Sequence, residues 1–313
     1  MVAPSHAQLT PPDAVASLPT LGRGALDVLR DVISLTKPRL MSLVLCTTAG
    51  GLWLAGAPMA SRRAVLAMLG TLLAVAGAHA LNCWMERDTD ALMHRTRNRP
   101  LPAGRLEARV ALALGLVLSA ASVPTLWLGV NALTGLLGAV ALTSYVLVYT
   151  PLKTRSPAAL YVGAIPGALP PLMGWTAARG RLEAPGLALF AILFLWQLPH
   201  FLAIAVACKD DYARAGMKTL AHTAGDAVAA RHTALYTLAL LPVTLLPVPL
   251  GVAHGVYLAA ALVLGAWFVA ATLPGLRGPM DAARARRVFL TSLAHLTGLF
   301  VALMVDGWRM HRP

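Results

Sequence analysis

Residues 64–100 read Ala64-Val-Leu-Ala-Met-Leu-Gly-Thr-Leu-Leu-Ala-Val-Ala-Gly-Ala-His79-Ala-Leu-Asn82-Cys-Trp-Met-Glu86-Arg87-Asp88-Thr-Asp90-Ala-Leu-Met-His94-Arg95-Thr96-Arg97-Asn98-Arg99-Pro100. The first part, 64–85, is 22 residues with no Asp, Glu, Lys or Arg. A helix needs about 20 such residues to cross hydrocarbon. Similar apolar stretches lie on either side, at 40–58, 109–129, 132–151, 158–176, 185–207, 233–253, 256–275 and 288–306. Together they predict about nine transmembrane helices. The two-residue alternation of a membrane barrel is missing, so backbone hydrogen bonding in lipid must be met within helices. The expected fold class is all-α, a polytopic membrane bundle. Residues 1–33, rich in Pro, Ala and Ser, are expected to be a loose N-terminal tail with at most a short surface helix, and 34–313 a single intramembrane domain.

Composition agrees. The 313 residues are 58% apolar and only 12% charged, about half the charged share of a soluble domain. That excludes a disordered chain, a disulfide scaffold and an ordinary soluble enzyme. Cys46, Cys83 and Cys208 are far apart and lack metal-site spacing, so they read as reduced and structural. No basic stretch runs directly into an apolar one at the N-terminus, and no cleaved signal peptide is expected.

The net charge of +13 first suggests nucleic acid, but its distribution points elsewhere. With nine spans, 20 of the 26 basic residues fall on one side of the membrane, in the N-terminal segment and the loops after spans 2, 4, 6 and 8. The other six are Arg62, Arg63, Arg179, Arg181, Arg309 and Arg312. The positive-inside rule then places the N-terminus and the loop after span 2 in the cytoplasm. None of the 13 acids sits in the middle of a span, which argues against a proton-coupled transporter.

The second part of the quoted stretch carries the chemistry. Asn82, Glu86 and Asp90 recur every four residues, so on a helix they share one face, whereas Asp88 points away. Oxygen donors of this kind suit a hard cation such as Mg²⁺, which binds through one or two carboxylates plus substrate phosphates. The stripe is about 12 Å long, while Mg²⁺ ligands lie about 2.1 Å from the ion. One ion can hardly use all three directly, and two ions, or one with an outer partner, fit better. Arg95, Arg97 and Arg99 follow, and guanidinium groups grip phosphate oxygens. Metal and arginines side by side predict a diphosphate site. Arg105 and Arg109 read as ordinary basic loop residues.

Several motifs together resemble the UbiA superfamily of intramembrane prenyltransferases. Asn82-x-x-x-Glu86-x-x-x-Asp90-x-x-Met93-x-Arg95-Thr96-x-x-Arg99-Pro100-Leu101 is similar to its first motif. Leu35-Thr36-Lys37-Pro38-Arg39 is similar to its opening, and Tyr149-Thr150-Pro151-Leu152-Lys153 to its Tyr-x-x-x-Lys element. Gly163 to Trp175, Trp196-Gln197-Leu198-Pro199-His200-Phe201, and Asp211-Tyr212 with Ala215-Gly216 resemble the superfamily's protohaem-farnesylating branch. Two departures stand out. Glu86 replaces the usual Asp, and His200-Phe201 stand where a second Asp-x-x-x-Asp motif is expected, acids returning only at Asp210 and Asp211.

The resemblance implies an enzyme that moves farnesyl from farnesyl diphosphate to a vinyl group of haem b with addition of water, giving haem O. It implies Mg²⁺ held by Asn82, Glu86, Asp90, Asp210 and Asp211, and diphosphate held by Arg95, Arg99, Lys153 and Lys209. Tyr149 then steadies a carbocation or orients a phosphate, or is a plain interfacial tyrosine. His200 and Gln197, deeper in span 6, are candidates for haem contact; His79 is a weaker one, and His295 reads as packing. The implied setting is a bacterial-type inner membrane with the site on the cytoplasmic side. Implied partners are the lipid bilayer and proteins such as a haem A synthase or terminal-oxidase assembly factors. Three other readings compete: prenylation of a quinone precursor such as 4-hydroxybenzoate, a transporter, and an assembly factor that merely holds haem. The last leaves the acid stripe and arginine cluster unexplained.

Overall fold

The computed structural model describes residues 24–310. Most of the predicted tail, and Arg312, lie outside the described residues. Within them the chain runs α1 (Ala25–Leu35), α2 (Pro38–Leu54), α3 (Arg62–Met85), α4 (Arg87–Ala91), α5 (Ala108–Gly129) and α6 (Ala132–Thr143), which passes through a π-helical turn (Ser144–Tyr149) into α7 (Thr150–Leu152). It continues through α8 (Ala159–Arg179), α9 (Ala184–Ala207), α10 (Lys209–Arg214), α11 (Leu220–Thr223), α12 (Asp226–Leu245), α13 (Gly255–Thr272) and α14 (Ala282–Met310). No strand occurs among the described residues.

Among the described residues, seven helical segments are long and apolar enough to cross a membrane: α3, α5, the α6–α7 run, α9, α12, the α13 run to Leu276, and α14. The sequence count of nine also includes α2 and α8. α2 has only 17 residues, and α8 dilutes its apolar run with Pro166, Pro170 and Pro171 and with three glycines. Both are nevertheless central to the packing. α8 touches α2, α6 and α9, while α9 in turn touches α12 and α14, and α14 returns to α2. The helices thus close a ring, with α3 packed between α2 and α5. Ser61 caps α3 by accepting from Ala64 N–H at 3.2 Å, and Asn131 caps α6 by accepting from Thr134 N–H at 2.8 Å.

Small residues set the spacing of α2 against α8. A Cβ on Gly51 would lie 2.1 Å from the Pro171 carbonyl oxygen, and one on Gly174 2.1 Å from that of Thr48. Close backbone approach at small residues is how helices associate in lipid, where hydrophobicity alone does not drive them together. Gly51→Ala is therefore expected to destabilise the bundle by about 1–3 kcal/mol, the usual cost of overpacking. An earlier thermal unfolding midpoint in detergent would register it; an unchanged midpoint would mean that the two helices can part without cost.

α1 is the surface helix the sequence allows. Leu26, Leu29 and Ile33 are exposed on it. It is held down by Leu35, which is buried, and by Arg105, whose Nε lies 3.2 Å from an Asp31 carboxylate oxygen.

Candidate active site at the end of α3

α3 ends at Met85 and the chain resumes as α4 after Glu86. The helical hydrogen bonds nonetheless continue through the break: Glu86 N–H donates to Asn82 O at 2.9 Å and Asp90 N–H to Glu86 O at 2.7 Å. Asn82, Glu86 and Asp90 therefore remain one turn apart, as their spacing predicts. They are 1%, 8% and 1% exposed. Asp88, by contrast, is at the surface beside Arg87.

Buried acids are costly unless paired, and here each member of the stripe meets a cationic partner. Lys37 Nζ donates to Asn82 Oδ1 at 2.9 Å, and Asn82 Nδ2 donates to Thr150 Oγ1 at 3.3 Å. Lys153 Nζ donates to Glu86 Oε1 at 2.7 Å, and Arg99 Nη1 to Asp90 Oδ2 at 2.6 Å. The π-helical turn widens the helix where Tyr145, Tyr149 and Thr150 meet this end of α3, a local irregularity typical of functional sites. Lys153 Nζ sits 4.4 Å from the centre of the Tyr149 ring. Burial works against its charge, but Tyr149 and Glu86 more than offset this and hold the ammonium above the usual lysine range.

Lys37 behaves oppositely. Burial, reinforced by Arg99 and Lys153 and only partly opposed by Cys83 and Glu86, lowers its pKa. It is also the one non-glycine with positive φ among the described residues, at 51°. A residue preceding proline prefers extended backbone, and a left-handed conformation costs on the order of 1–3 kcal/mol. That strain turns the Lys37 ammonium onto the stripe. Lys37 belongs to the opening motif but is not among the site residues expected from the sequence. Its contact with Asn82 spans 45 positions and has no local signal.

The other predicted residues divide. Arg95 joins the site's edge: its Nη2 lies 3.4 Å from Tyr212 OH. Asp211 accepts from the backbone N–H of His94 at 3.2 Å and of Arg95 at 3.4 Å, and pairs with Arg214. Burial would raise its pKa, yet these donors lower it. Asp211 thus ties α10 to the turn that carries the arginines. Asp210 is exposed, and its side chain makes no hydrogen bond or ion pair among the described residues. Lys209 is not joined to the stripe; it donates to both carboxylate oxygens of Asp226, at 2.9 and 2.8 Å.

The donor set fits Mg²⁺ bound together with its substrate. Two buried carboxylates and an amide oxygen one turn apart are hard ligands of the required kind. Among the described residues no three of His, Cys, Asp and Glu gather closely enough to enclose an ion unaided. A cavity of about 330 Å³ opens beside Asp90, lined by Lys37, Arg95, Arg99 and Arg105 on the cationic side and Asp31 on the acidic. Its excess of cations favours a polyanion.

Deeper in the bundle, His200 Nδ1 lies 2.8 Å from Ser292 Oγ, and its ring stacks on Trp196 with centroids 4.5 Å apart. Gln197 spends its amide hydrogens inside the bundle, donating to Ala164 O at 3.2 Å and Leu193 O at 3.0 Å. His79 meets Tyr145 OH at 3.4 Å, and His295 packs on Phe268.

An apolar helical ring with buried acids and cations gathered at one end is an arrangement suited to prenyl transfer within a membrane. The chain belongs to the UbiA prenyltransferase family, whose model matches residues 43–293. It is 51% identical over 290 residues to the protoheme IX farnesyltransferase of Myxococcus xanthus (strain DK1622), covering 93% of this chain and 96% of that relative. A solved digeranylgeranylglyceryl phosphate synthase shares the fold, with a TM-score of 0.74 at 15% identity, over 90% of this chain and 99% of the other. So does a UbiA homologue from Archaeoglobus fulgidus bound to GPP and Mg²⁺, with a TM-score of 0.59 at 17% identity over 88% and 99% of the two chains. This chain is a multi-pass membrane prenyltransferase.

Proposed function

We propose that this chain transfers the farnesyl group of farnesyl diphosphate to a vinyl group of haem b, with addition of water, to give haem O. The observation that carries the transfer step is the stripe Asn82, Glu86 and Asp90 with Lys37, Lys153 and Arg99 on it, the Asp90 end lining a cavity rich in cations. The acceptor rests on likeness to the Myxococcus relative over most of both chains.

Lys37, Arg95, Arg99 and Lys153 take up the charge that grows on the departing diphosphate. Asn82, Glu86 and Asp90 would hold Mg²⁺, with Asp210 and Asp211 as candidates from the α10 side. When bound, the ion withdraws charge from the leaving group. The apolar bundle houses the isoprenoid tail and shields the allylic cation from early capture by water. The haem vinyl carbon bonds to farnesyl C1 as its bond to diphosphate breaks. Water then adds to the cation left on the porphyrin side and releases one proton. Tyr149 faces the Lys153 ammonium and fixes its position. The bias of basic residues supports nine spans with the N-terminus and the site on the cytoplasmic side of a bacterial inner membrane.

Membranes containing the chain, given haem b, farnesyl diphosphate and Mg²⁺, should yield a haem heavier by one farnesyl group and one hydroxyl on mass spectrometry. Excess chelator should remove the product and added Mg²⁺ restore it. Prenylation of 4-hydroxybenzoate instead, with haem unchanged, would keep the diphosphate site and overturn the acceptor.

The lowered pKa of Lys37 sets an alkaline limit. Diphosphate binding needs the ammonium, so kcat/KM should fall as pH rises through the free-enzyme value of Lys37, before Lys153 loses its proton. In Lys37→Arg the guanidinium keeps its charge, and the fall should move to higher pH. Superimposable profiles for the two proteins would remove Lys37 from the diphosphate site.

A further inference from the structure

The hydrogen bonds around Ser292 settle which nitrogen of His200 carries the proton. Ser292 Oγ lies 2.6 Å from the Phe289 carbonyl oxygen. Two oxygens approach that closely only with a hydrogen between them, and the carbonyl has none to give. The single hydroxyl hydrogen of Ser292 is therefore spent on Phe289. The 2.8 Å contact between Ser292 Oγ and His200 Nδ1 must then be a bond donated by Nδ1–H. In a neutral imidazole this leaves the lone pair on Nε2.

The ring is held rigidly in that tautomer. Trp196 stacks on it at 4.5 Å and Phe289 packs at 4.9 Å. Trp196 Nε1 also donates to Ser292 O at 2.7 Å, which fixes the turn of α14 that presents the hydroxyl. Nε2 has no hydrogen-bond partner among the described residues, and it is not one of their fully buried unpartnered atoms, which are Thr71 Oγ1, Ser119 Oγ and His295 Nδ1. The residue keeps 8% exposure, beside Phe201 at 37%. An oriented imidazole with an open lone pair suits a metal centre such as iron.

We propose that His200 Nε2 ligates the iron of the haem acceptor, and that Ser292 is the positioning residue that keeps Nε2 unprotonated and aimed. This rests on the haem-acceptor reading above. The ligand atom, its tautomer and the residue that enforces it come from the α9–α14 contact alone.

Titration of haem b into the purified full chain in nanodiscs, followed by absorption and electron paramagnetic resonance spectra, tests it. Wild type should show an imidazole-ligated haem. His200→Ala should lose that signature and regain it with free imidazole. Ser292→Ala should weaken haem affinity about 10- to 100-fold, as loss of an outer hydrogen-bond partner typically does, and Ser292→Thr should restore it. Identical spectra for wild type and His200→Ala, while farnesylated haem still forms, would overturn iron ligation and leave the proposed function intact. Unchanged affinity in Ser292→Ala would overturn the positioning role. A wild-type chain that neither binds nor farnesylates haem, but prenylates a quinone precursor, would overturn the acceptor reading itself.

Discussion

Replacing Glu86 by Gln, or Asp90 by Asn, is expected to lower farnesyl transfer by at least about 100-fold, the usual loss when one preorganised electrostatic contact to a developing charge is removed. Both substitutions keep shape and hydrogen-bonding capacity. The amide in Glu86→Gln would still offer an oxygen to Lys153, and the amide in Asp90→Asn one to Arg99, so the distances of 2.7 and 2.6 Å need not change much. What is lost is the charge. The two residues serve one site, so the double variant should be little worse than either single one, as for catalytic groups that act as a unit. Membrane content and detergent melting separate the effect from misfolding: the buried cations lose a formal partner, and some loss of stability is expected. Glu86→Asp, which keeps the charge on a shorter arm, should recover part of the rate. Turnover within a few-fold of wild type in Glu86→Gln, with normal melting, would refute a metal or electrostatic role for this carboxylate.

Legibility in the sequence follows the range of the interaction. The helical class and the membrane setting rest on local runs of apolar residues, which need no knowledge of contacts. The acid stripe is equally local, since a four-residue repeat dictates a shared face whether or not the helix later breaks at Glu86. Except for Arg99, the partners of that stripe are not local. Lys37, Thr150 and Lys153 reach Asn82 and Glu86 across 45, 68 and 67 residues. Lys153 is accessible through motif likeness, whereas the roles of Thr150 and Lys37 are not. The π-helical turn before Thr150 leaves the apolar pattern of its span intact and so is invisible to periodicity. Lys209 is credited to the ligand because it is basic and near the right loop; its pairing with a nearby acid, Asp226, carries no local signal of its own. Ser292 is one small polar residue in a long apolar helix, and only the distances to His200 and Phe289 give it meaning.

Lys153 itself should show the second large effect, and Tyr149 should reveal how. Lys153→Met removes a cation and strands Glu86 in a buried position, so farnesyl transfer should drop by about 100- to 1,000-fold, with weaker diphosphate binding. Tyr149 acts through its ring: Lys153 Nζ is 4.4 Å from the ring centre, while the Tyr149 hydroxyl makes no hydrogen bond among the described residues. Tyr149→Phe should therefore stay within a few-fold of wild type. Tyr149→Leu gives up the cation–π contact, a loss of up to about 2 kcal/mol in a desolvated site, or roughly 30-fold. Gly163 supplies an independent route to the same contact. A Cβ there would lie 2.5 Å from Tyr149 Cε2, so Gly163→Ala must push the ring aside without touching Lys153 or Glu86. If ring placement is what steadies the ammonium, Gly163→Ala should resemble Tyr149→Leu in rate, and joining the two should add little, because residues sharing one contact are not additive. A severe defect in Tyr149→Phe with a mild one in Tyr149→Leu would instead assign the work to the hydroxyl and return Tyr149 to the role of a phosphate ligand.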